Sequence, residues 1–150
     1  FAEQWYLRTA EVAAARNELV WDTTTGAADT VVAVLDTGIR YEHPDLRRTS
    51  EGGRMLPGYD FVSGESGTSF RVANDGDGRD GDPSDPGDWL SSADLATSLF
   101  EDCAPRPTDS SWHGTRVAGM LAAVSNNSIG VAGSTWSGNV LPVRVLGKCG

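Results

Sequence analysis

Apolar and polar positions along this chain predict strands that alternate with helices. Apolar runs rich in β-branched residues predict strands at residues 31–35, 59–62 and 140–146. Apolar residues recur at helical spacing at residues 10–19, where Thr9 is the predicted N-cap, and in a second helix that begins at His113. This alternation indicates an α/β fold with a mostly parallel sheet that helices cover on both faces.

A long polar segment interrupts the alternation at residues 63–111. The segment is rich in Gly, Pro and Asp, and it contains an apolar patch at residues 95–100 whose structure the pattern does not decide. Loops of this length are usually functional or disordered. Because no repeat and no boundary divides the chain, we expect residues 1–150 to belong to one domain that carries this acidic insert.

Two side chains with useful chemistry stand at the ends of predicted elements. Asp36 follows the apolar run at residues 31–35, which places it at the carboxyl end of a buried strand. His113 begins a predicted helix. A buried carboxylate and a histidine that it orients are two thirds of the acyl-transfer triad. The order Asp, then His, is that of subtilisin, in which the Ser comes last, and no Ser in a suitable context follows His113.

Longer sequence blocks resemble the subtilase family. Residues 36–39 (Asp-Thr-Gly-Ile) and 43–46 (His-Pro-Asp-Leu) resemble its block around the catalytic Asp, and residues 113–119 resemble its block around the catalytic His. One position departs, because Arg116 stands where the family commonly has a second His. Weaker resemblances occur at residues 4–7, 14–21, 126–131 and 141–146. The resemblance implies a three-layer αβα, subtilisin-like fold, with residues 1–150 as the N-terminal portion of a single peptidase domain.

The resemblance also implies the activity and its partners. We expect a secreted, extracellular serine endopeptidase that acts on proteins or peptides, with Asp36 orienting His113 and the nucleophilic Ser in a downstream part of the domain. The further partners expected are that downstream part and the enzyme's own propeptide. The polypeptide alone should then be inactive.

Two alternatives remain. The first is a catalytically inactive, calcium-stabilised subtilase fragment or binding module, because the nucleophile lies outside residues 1–150. The second is an aspartic protease, since an apolar pair followed by Asp-Thr-Gly is also that class's signature. An aspartic protease needs a second such motif, which the sequence lacks although a homodimer could supply it, and this interpretation leaves the segment around His113 unexplained.

The net charge and the length of the apolar stretches limit the classes of partner that we expect. The formal net charge of −9 argues against nucleic acid, whose binding requires a basic surface. The longest apolar stretches fall short of the roughly 20 residues that span a bilayer, so no membrane partner is expected. The chain opens at Phe1 without Met or an apolar leader, and we interpret Phe1 as a mature terminus after removal of a targeting and pro-segment.

Cys103 and Cys149 are the two cysteines. An even count in a secreted chain favours a disulfide, and this one would enclose the helix that begins at His113. Two buried free thiols are the alternative. A zinc site is disfavoured because no Cys-x-x-Cys spacing occurs.

The acidic insert is a candidate calcium site. Residues 74–88 contain six Asp among fifteen residues, and carboxylates in a Gly-rich loop can converge on one Ca²⁺. The ligands predicted from the residues are Asp75, Asp77, Asp80, Asp82 and Asp88. The segment is not an EF-hand, because Arg79 and Pro86 occupy positions that need an oxygen ligand and Glu. The alternative is a solvated, disordered acidic loop.

The resemblance alone implies a second calcium site. The family binds a calcium ion with a Gln near the N-terminus, the Asp of the His-Pro-Asp-Leu block and a loop after the catalytic helix. These positions correspond here to the side chains of Gln4, Asp45 and Asn127 and to the carbonyls of Val124, Ile129 and Val131. Because this chain has one extra residue in the loop, the first carbonyl is that of either Val124 or Ser125.

Overall fold

The computed structural model describes residues 3–8, 15–66 and 69–150. A short 3₁₀ turn at Trp5–Leu7 and another at Thr49–Glu51 accompany the regular elements. The helices and strands, in chain order, are α1 (Asn17–Trp21), β1 (Val31–Asp36), β2 (Tyr59–Asp60), α2 (Ser92–Leu95), α3 (His113–Ala122) and β3 (Asn139–Arg144). The strands form one sheet in the order β1-β3-β2, and β2 pairs with β3 in parallel. The fold is therefore of the α/β class, as the alternation of strands and helices predicts.

The chain divides into two compact units. The first comprises Phe1–Ala33, Tyr41–Leu56 and Arg116–Leu141. The second comprises Val34–Arg40, Pro57–Thr115 and Pro142–Gly150. Strands β1 and β3 and helix α3 each contribute residues to both units.

The core of the first unit forms around the carboxyl half of α3. Ala118, Ala122 and Met55 are almost completely buried there. Arg54 donates hydrogen bonds to the carbonyl of Ala122 at 2.7 Å and to that of Thr135 at 2.8 Å. The guanidinium thereby satisfies a helix-terminal carbonyl that has no partner within the helix, and it holds the following loop in place.

The core of the second unit contains a buried arginine side chain. Arg144, at the end of β3, has 1% of its side chain exposed and forms ion pairs with Asp60 and Asp75. Its guanidinium also donates to the carbonyl of Ala73. Burial raises the pKa of Asp60. The hydrogen bond from the Val62 backbone and the contact with Arg144 act in the opposite direction and lower it. A buried charge is tolerated only when it is paired in this way.

Several predicted elements differ in extent from those observed. The predicted N-cap Thr9 and the start of the helix at residues 10–19 lie outside the described residues. Where the prediction can be compared, residues 17–19 are helical, but the helix does not continue through Arg16, which adopts a left-handed conformation (φ 56°), and α1 begins only at Asn17. Strand β2 is shorter than expected, and the apolar patch at residues 95–100 lies next to the one-turn helix α2.

Strand β1 is less buried than its apolar sequence predicts. Val34 and Asp36 are buried, whereas Val31, Val32 and Leu35 are exposed. Strand β1 lies at an edge of the sheet, and the described residues leave part of its surface uncovered. The prediction that Asp36 is buried at the carboxyl end of this strand is nevertheless correct.

Candidate active site

Asp36 and His113 meet as a hydrogen-bonded pair. Nδ1 of His113 lies 2.8 Å from Oδ2 and 3.0 Å from Oδ1 of Asp36. The carboxylate is nearly buried, with 10% of its side chain exposed, whereas 63% of the imidazole side chain is exposed. One edge of the ring therefore faces a fixed acceptor, while most of the imidazole side chain stays exposed. A carboxylate placed in this way fixes the tautomer of the ring and stabilises its protonated form.

The turn after β1 brings the amino end of α3 close to Asp36. Gly38 adopts a positive φ of 104°, which favours Gly at that position. A Cβ atom on Gly114 would lie 2.3 Å from the Gly38 carbonyl oxygen and 3.1 Å from Cβ of Asp36. Only Gly permits this approach, so Gly38 and Gly114 determine how closely the two elements pack.

A third polar residue, Asp85, lies next to this pair and was not among the predicted site residues. The Thr37 hydroxyl donates to Oδ2 of Asp85 at 2.7 Å, and the Gly114 backbone N–H donates to the same hydroxyl at 3.1 Å. Burial raises the pKa of Asp85, and the hydrogen bonds from Thr37 and Gly87 oppose that rise. The signal in the sequence was Pro83 and Pro86 on either side of Asp85, which favours an ordered segment over a solvated acidic one.

The structure brings Gln4, Asp45 and Asn127 to one loop of the first unit. Asn127 donates through Nδ2 to Oδ1 of Asp45, while Oδ2 of this buried carboxylate has no hydrogen-bond partner. The Gln4 side chain forms two hydrogen bonds with the backbone of Ala132, one from Nε2 at 2.9 Å and one to Oε1 at 2.7 Å. A Cβ atom on Gly130 would lie 2.6 Å from Oδ2 of Asp45.

The donor set therefore fits a calcium ion in part. A buried carboxylate oxygen without a partner is costly unless a cation is available to it, and Gly130 leaves open the space in front of that oxygen. Asn126, Ser128 and Gly130 all have positive φ, which curves the loop that follows α3. Gln4 and Asn127 fit less well, since their side-chain oxygens accept the backbone N–H groups of Ala132 and Ile129, respectively. The carbonyls of Val124, Ile129 and Val131 remain predicted ligands, as does the alternative at Ser125.

The acidic insert has a different arrangement. Asp75 pairs with Arg144, and Asp88 accepts hydrogen bonds from the backbone and hydroxyl of Ser111. Asp80 and Asp82 accept hydrogen bonds from nearby residues of the insert, and Asp77 is exposed. Among residues 3–8, 15–66 and 69–150, no three His, Cys, Asp or Glu side chains are grouped as metal ligands. Calcium binding by this insert stays a prediction.

Two further features lie outside the candidate sites. The structure joins Cys103 and Cys149 in a disulfide, with Cα atoms 5.3 Å apart. In the part of the chain that the structure describes, no helix has the length and apolar character needed to cross a membrane.

Comparison with known proteins identifies the family. The model of the subtilase family matches residues 27–150. The chain belongs to the subtilase family. The chain is 47% identical over 131 residues to an extracellular basic protease of Dichelobacter nodosus, covering 87% of this subtilase and 20% of that protein. It is 44% identical over 149 residues to an extracellular protease of Xanthomonas campestris, covering 99% of this subtilase and 22% of that protein.

A solved structure agrees with this assignment. The subtilase chain resembles a protease from Pseudoalteromonas arctica with a TM-score of 0.78 and 44% identity, over all of this chain and 38% of that one. The subtilase thus spans about a fifth of the two relatives by sequence, as their coverage of 20% and 22% indicates.

Proposed function

We propose that this chain carries the Asp and the His of the Asp-His-Ser triad of a secreted serine endopeptidase. The observation that carries the proposal is the pair of distances, 2.8 and 3.0 Å, between Nδ1 of His113 and the carboxylate of Asp36. Membership in the subtilase family and the similarity to two extracellular proteases support it. On this proposal, residues 1–150 form the N-terminal portion of one peptidase domain.

The geometry supports a defined role for each side chain. Asp36 accepts the N–H at Nδ1 of His113, which leaves Nε2 as the basic nitrogen of the ring. Nε2 would remove the proton from a Ser hydroxyl and later return it to the departing amine. The positive charge that develops on the ring is stabilised by Asp36, whose Oδ1 also accepts the Thr37 backbone N–H at 2.7 Å. The Ser belongs to the downstream part of the enzyme.

We also propose that the enzyme is calcium-dependent, with an ion at Asp45 and Asn127. The buried, unpartnered oxygen of Asp45 and the open space at Gly130 support this proposal. A bound ion would supply charge neutralisation at Asp45, and the side chains would hold the loop after α3 around it. The acidic insert is the second candidate site. The partners proposed are protein or peptide substrates and a propeptide.

The experiment compares His113→Ala and Asp36→Asn with His43→Ala in the full-length enzyme. Asp36→Asn should lower kcat by about four orders of magnitude and His113→Ala by about six, as is typical of triads. His43→Ala should retain most activity, since its Nδ1 accepts the Asp45 backbone N–H at 3.2 Å and the residue belongs to the turn after β1. Labelling by a fluorophosphonate reports an activated Ser. An active His113→Ala variant would contradict the assignment.

The same assays distinguish the alternatives. A full-length protein that folds and binds calcium, but neither hydrolyses peptides nor reacts with fluorophosphonate, would be an inactive subtilase that serves as a binding module. Inhibition by pepstatin at low pH would indicate an aspartic protease. The contact between His113 and Asp36 favours the serine endopeptidase, because neither alternative requires it.

A further inference from the structure

Residues 83–88, which end the Asp-rich stretch at residues 74–88 of the acidic insert, lie against the loop that follows Asp36. The Ile39 backbone N–H donates to the Pro83 carbonyl, and the Asp85 N–H donates to the Ile39 carbonyl, both at 3.1 Å. A Cβ atom on Gly38 would lie 2.7 Å from the Pro83 oxygen. The contact is therefore a fixed, close-packed one, unlike that of a solvated loop.

Asp85 acts on this loop through a hydroxyl. Its Oδ2 accepts the proton of Thr37 at 2.7 Å and its Oδ1 accepts the Gly87 N–H at 2.8 Å. Because Thr37 has only one proton to donate, its direction is set by Asp85, and its lone pairs are left for the Gly114 N–H. Asp85 thus links the residue after Asp36 to the first turn of α3.

Asp88 contacts the segment that precedes His113. Its two oxygens accept the backbone N–H of Ser111 at 2.6 Å and the Ser111 hydroxyl at 2.7 Å. The same hydroxyl accepts the His113 backbone N–H at 3.3 Å. Between them, Trp112 has a φ of 50°, an unusual conformation for a bulky residue that surrounding contacts must maintain.

We propose that Asp85 and Asp88 are positioning residues for the Asp36–His113 pair, which they hold from its two sides through Thr37 and Ser111. This inference rests on the proposed function, since a positioning role requires the pair to be catalytic. It gives Asp85 and Asp88 a role in catalytic geometry that does not require a metal ion. Neither carboxylate needs to contact substrate.

Replacing either carboxylate by the amide of Asn tests these contacts directly. Each carboxylate accepts two hydrogen bonds, whereas an Asn at the same position presents one acceptor oxygen and an NH₂ group that can only donate. If the oxygen of Asp85→Asn keeps the Gly87 contact, its NH₂ group must donate to the Thr37 hydroxyl, whose proton is then no longer directed at residue 85. If the oxygen of Asp88→Asn keeps the backbone N–H of Ser111, its NH₂ group must donate to the Ser111 hydroxyl, which reverses that hydrogen bond and frees the hydroxyl proton.

The experiment measures kcat and KM in the full-length enzyme, together with the proton NMR signal of the Nδ1–H of His113. Asp85→Asn and Asp88→Asn should each lower kcat by roughly 10- to 100-fold, because small errors in catalytic geometry have effects of that size. KM should stay nearly constant and the Nδ1–H signal should shift or broaden. Asp102→Asn is the matched control, since Asp102 is exposed and belongs to the same unit.

A second set of variants covers the case in which the buried amide prevents folding. Thr37→Val removes the hydroxyl and should lower kcat, whereas Thr37→Ser keeps the hydroxyl and should restore it. Ser111→Ala removes the contact with Asp88 and should lower kcat with little change in KM.

The outcomes separate this inference from the proposed function. Wild-type kcat and an unchanged Nδ1–H signal in the Asp85, Asp88 and Ser111 variants would overturn the inference. A loss that added calcium restores would also overturn it, because the role would then belong to a bound ion. If Asp36→Asn and His113→Ala are themselves active, the proposed function fails instead.

Discussion

Gly130→Ala is the change that tests calcium binding at Asp45 most directly. The new Cβ would lie 2.6 Å from the unpartnered Oδ2 of Asp45 and 3.4 Å from Cε1 of His43. The first distance is too short for any real contact, so the oxygen must move from the position in which it would face the ion. The variant should therefore lose calcium affinity in addition to conformational stability.

The magnitude follows from two separable contributions. An Ala in the left-handed conformation costs roughly 1–2 kcal/mol in the free energy of unfolding, with or without calcium. An ion present at 100 times its dissociation constant stabilises the folded state by about 2.7 kcal/mol, which the variant should largely lose. Gly52→Ala is the matched control, because Gly52 also has a positive φ (78°) but a Cβ atom added to it would meet no other atom within 4 Å.

The assay measures the denaturant midpoint of both variants and of the wild type in calcium and in chelator, with calcium titrated by calorimetry. Gly52→Ala should lose similar stability in both conditions, whereas Gly130→Ala should lose much more in calcium than in chelator. Equal losses in the two conditions, with wild-type calcium affinity in Gly130→Ala, would refute the site at Asp45. Any ion that remains bound would then point to the acidic insert.

Two further predictions concern stability in the second unit. Hydrogen bonds from the Ser91 backbone and hydroxyl, with Lys148, lower the pKa of Asp94 to about 2 from its usual 3.8. Because the pKa of Asp94 is lower in the folded state than in the unfolded state, its carboxylate stabilises the fold at pH values above the unfolded pKa. Asp94→Asn should therefore lower the free energy of unfolding at neutral pH. In denaturant titrations, the difference in stability between the variant and the wild type should disappear as pH falls from about 4 to about 2. Replacing Cys103 and Cys149 by Ser opens a 46-residue loop and should lower the free energy of unfolding by about 4 kcal/mol, measured the same way; an unchanged midpoint would contradict that prediction.

Much of the fold and the central pair were predictable from the sequence because they depend on local patterns. Apolar runs determine β1 and β3, and helical spacing determines α3. Asp36 and His113 stand at the ends of such elements, so their positions follow from element boundaries alone. The helix predicted at residues 10–19 does not continue through Arg16, since this residue adopts a left-handed conformation that its sequence does not indicate.

The partners of the acidic side chains were decided only by the tertiary structure. The composition of residues 74–88 is equally compatible with a metal site, a solvated loop and an ordered segment. Which one forms depends on donors that are distant in sequence: Arg144 pairs with Asp75, Thr37 donates to Asp85, and Ser111 donates to Asp88. A carboxylate has no periodicity that reveals its partner, because hydrogen bonds and ion pairs depend on distances in space, which only the folded chain determines.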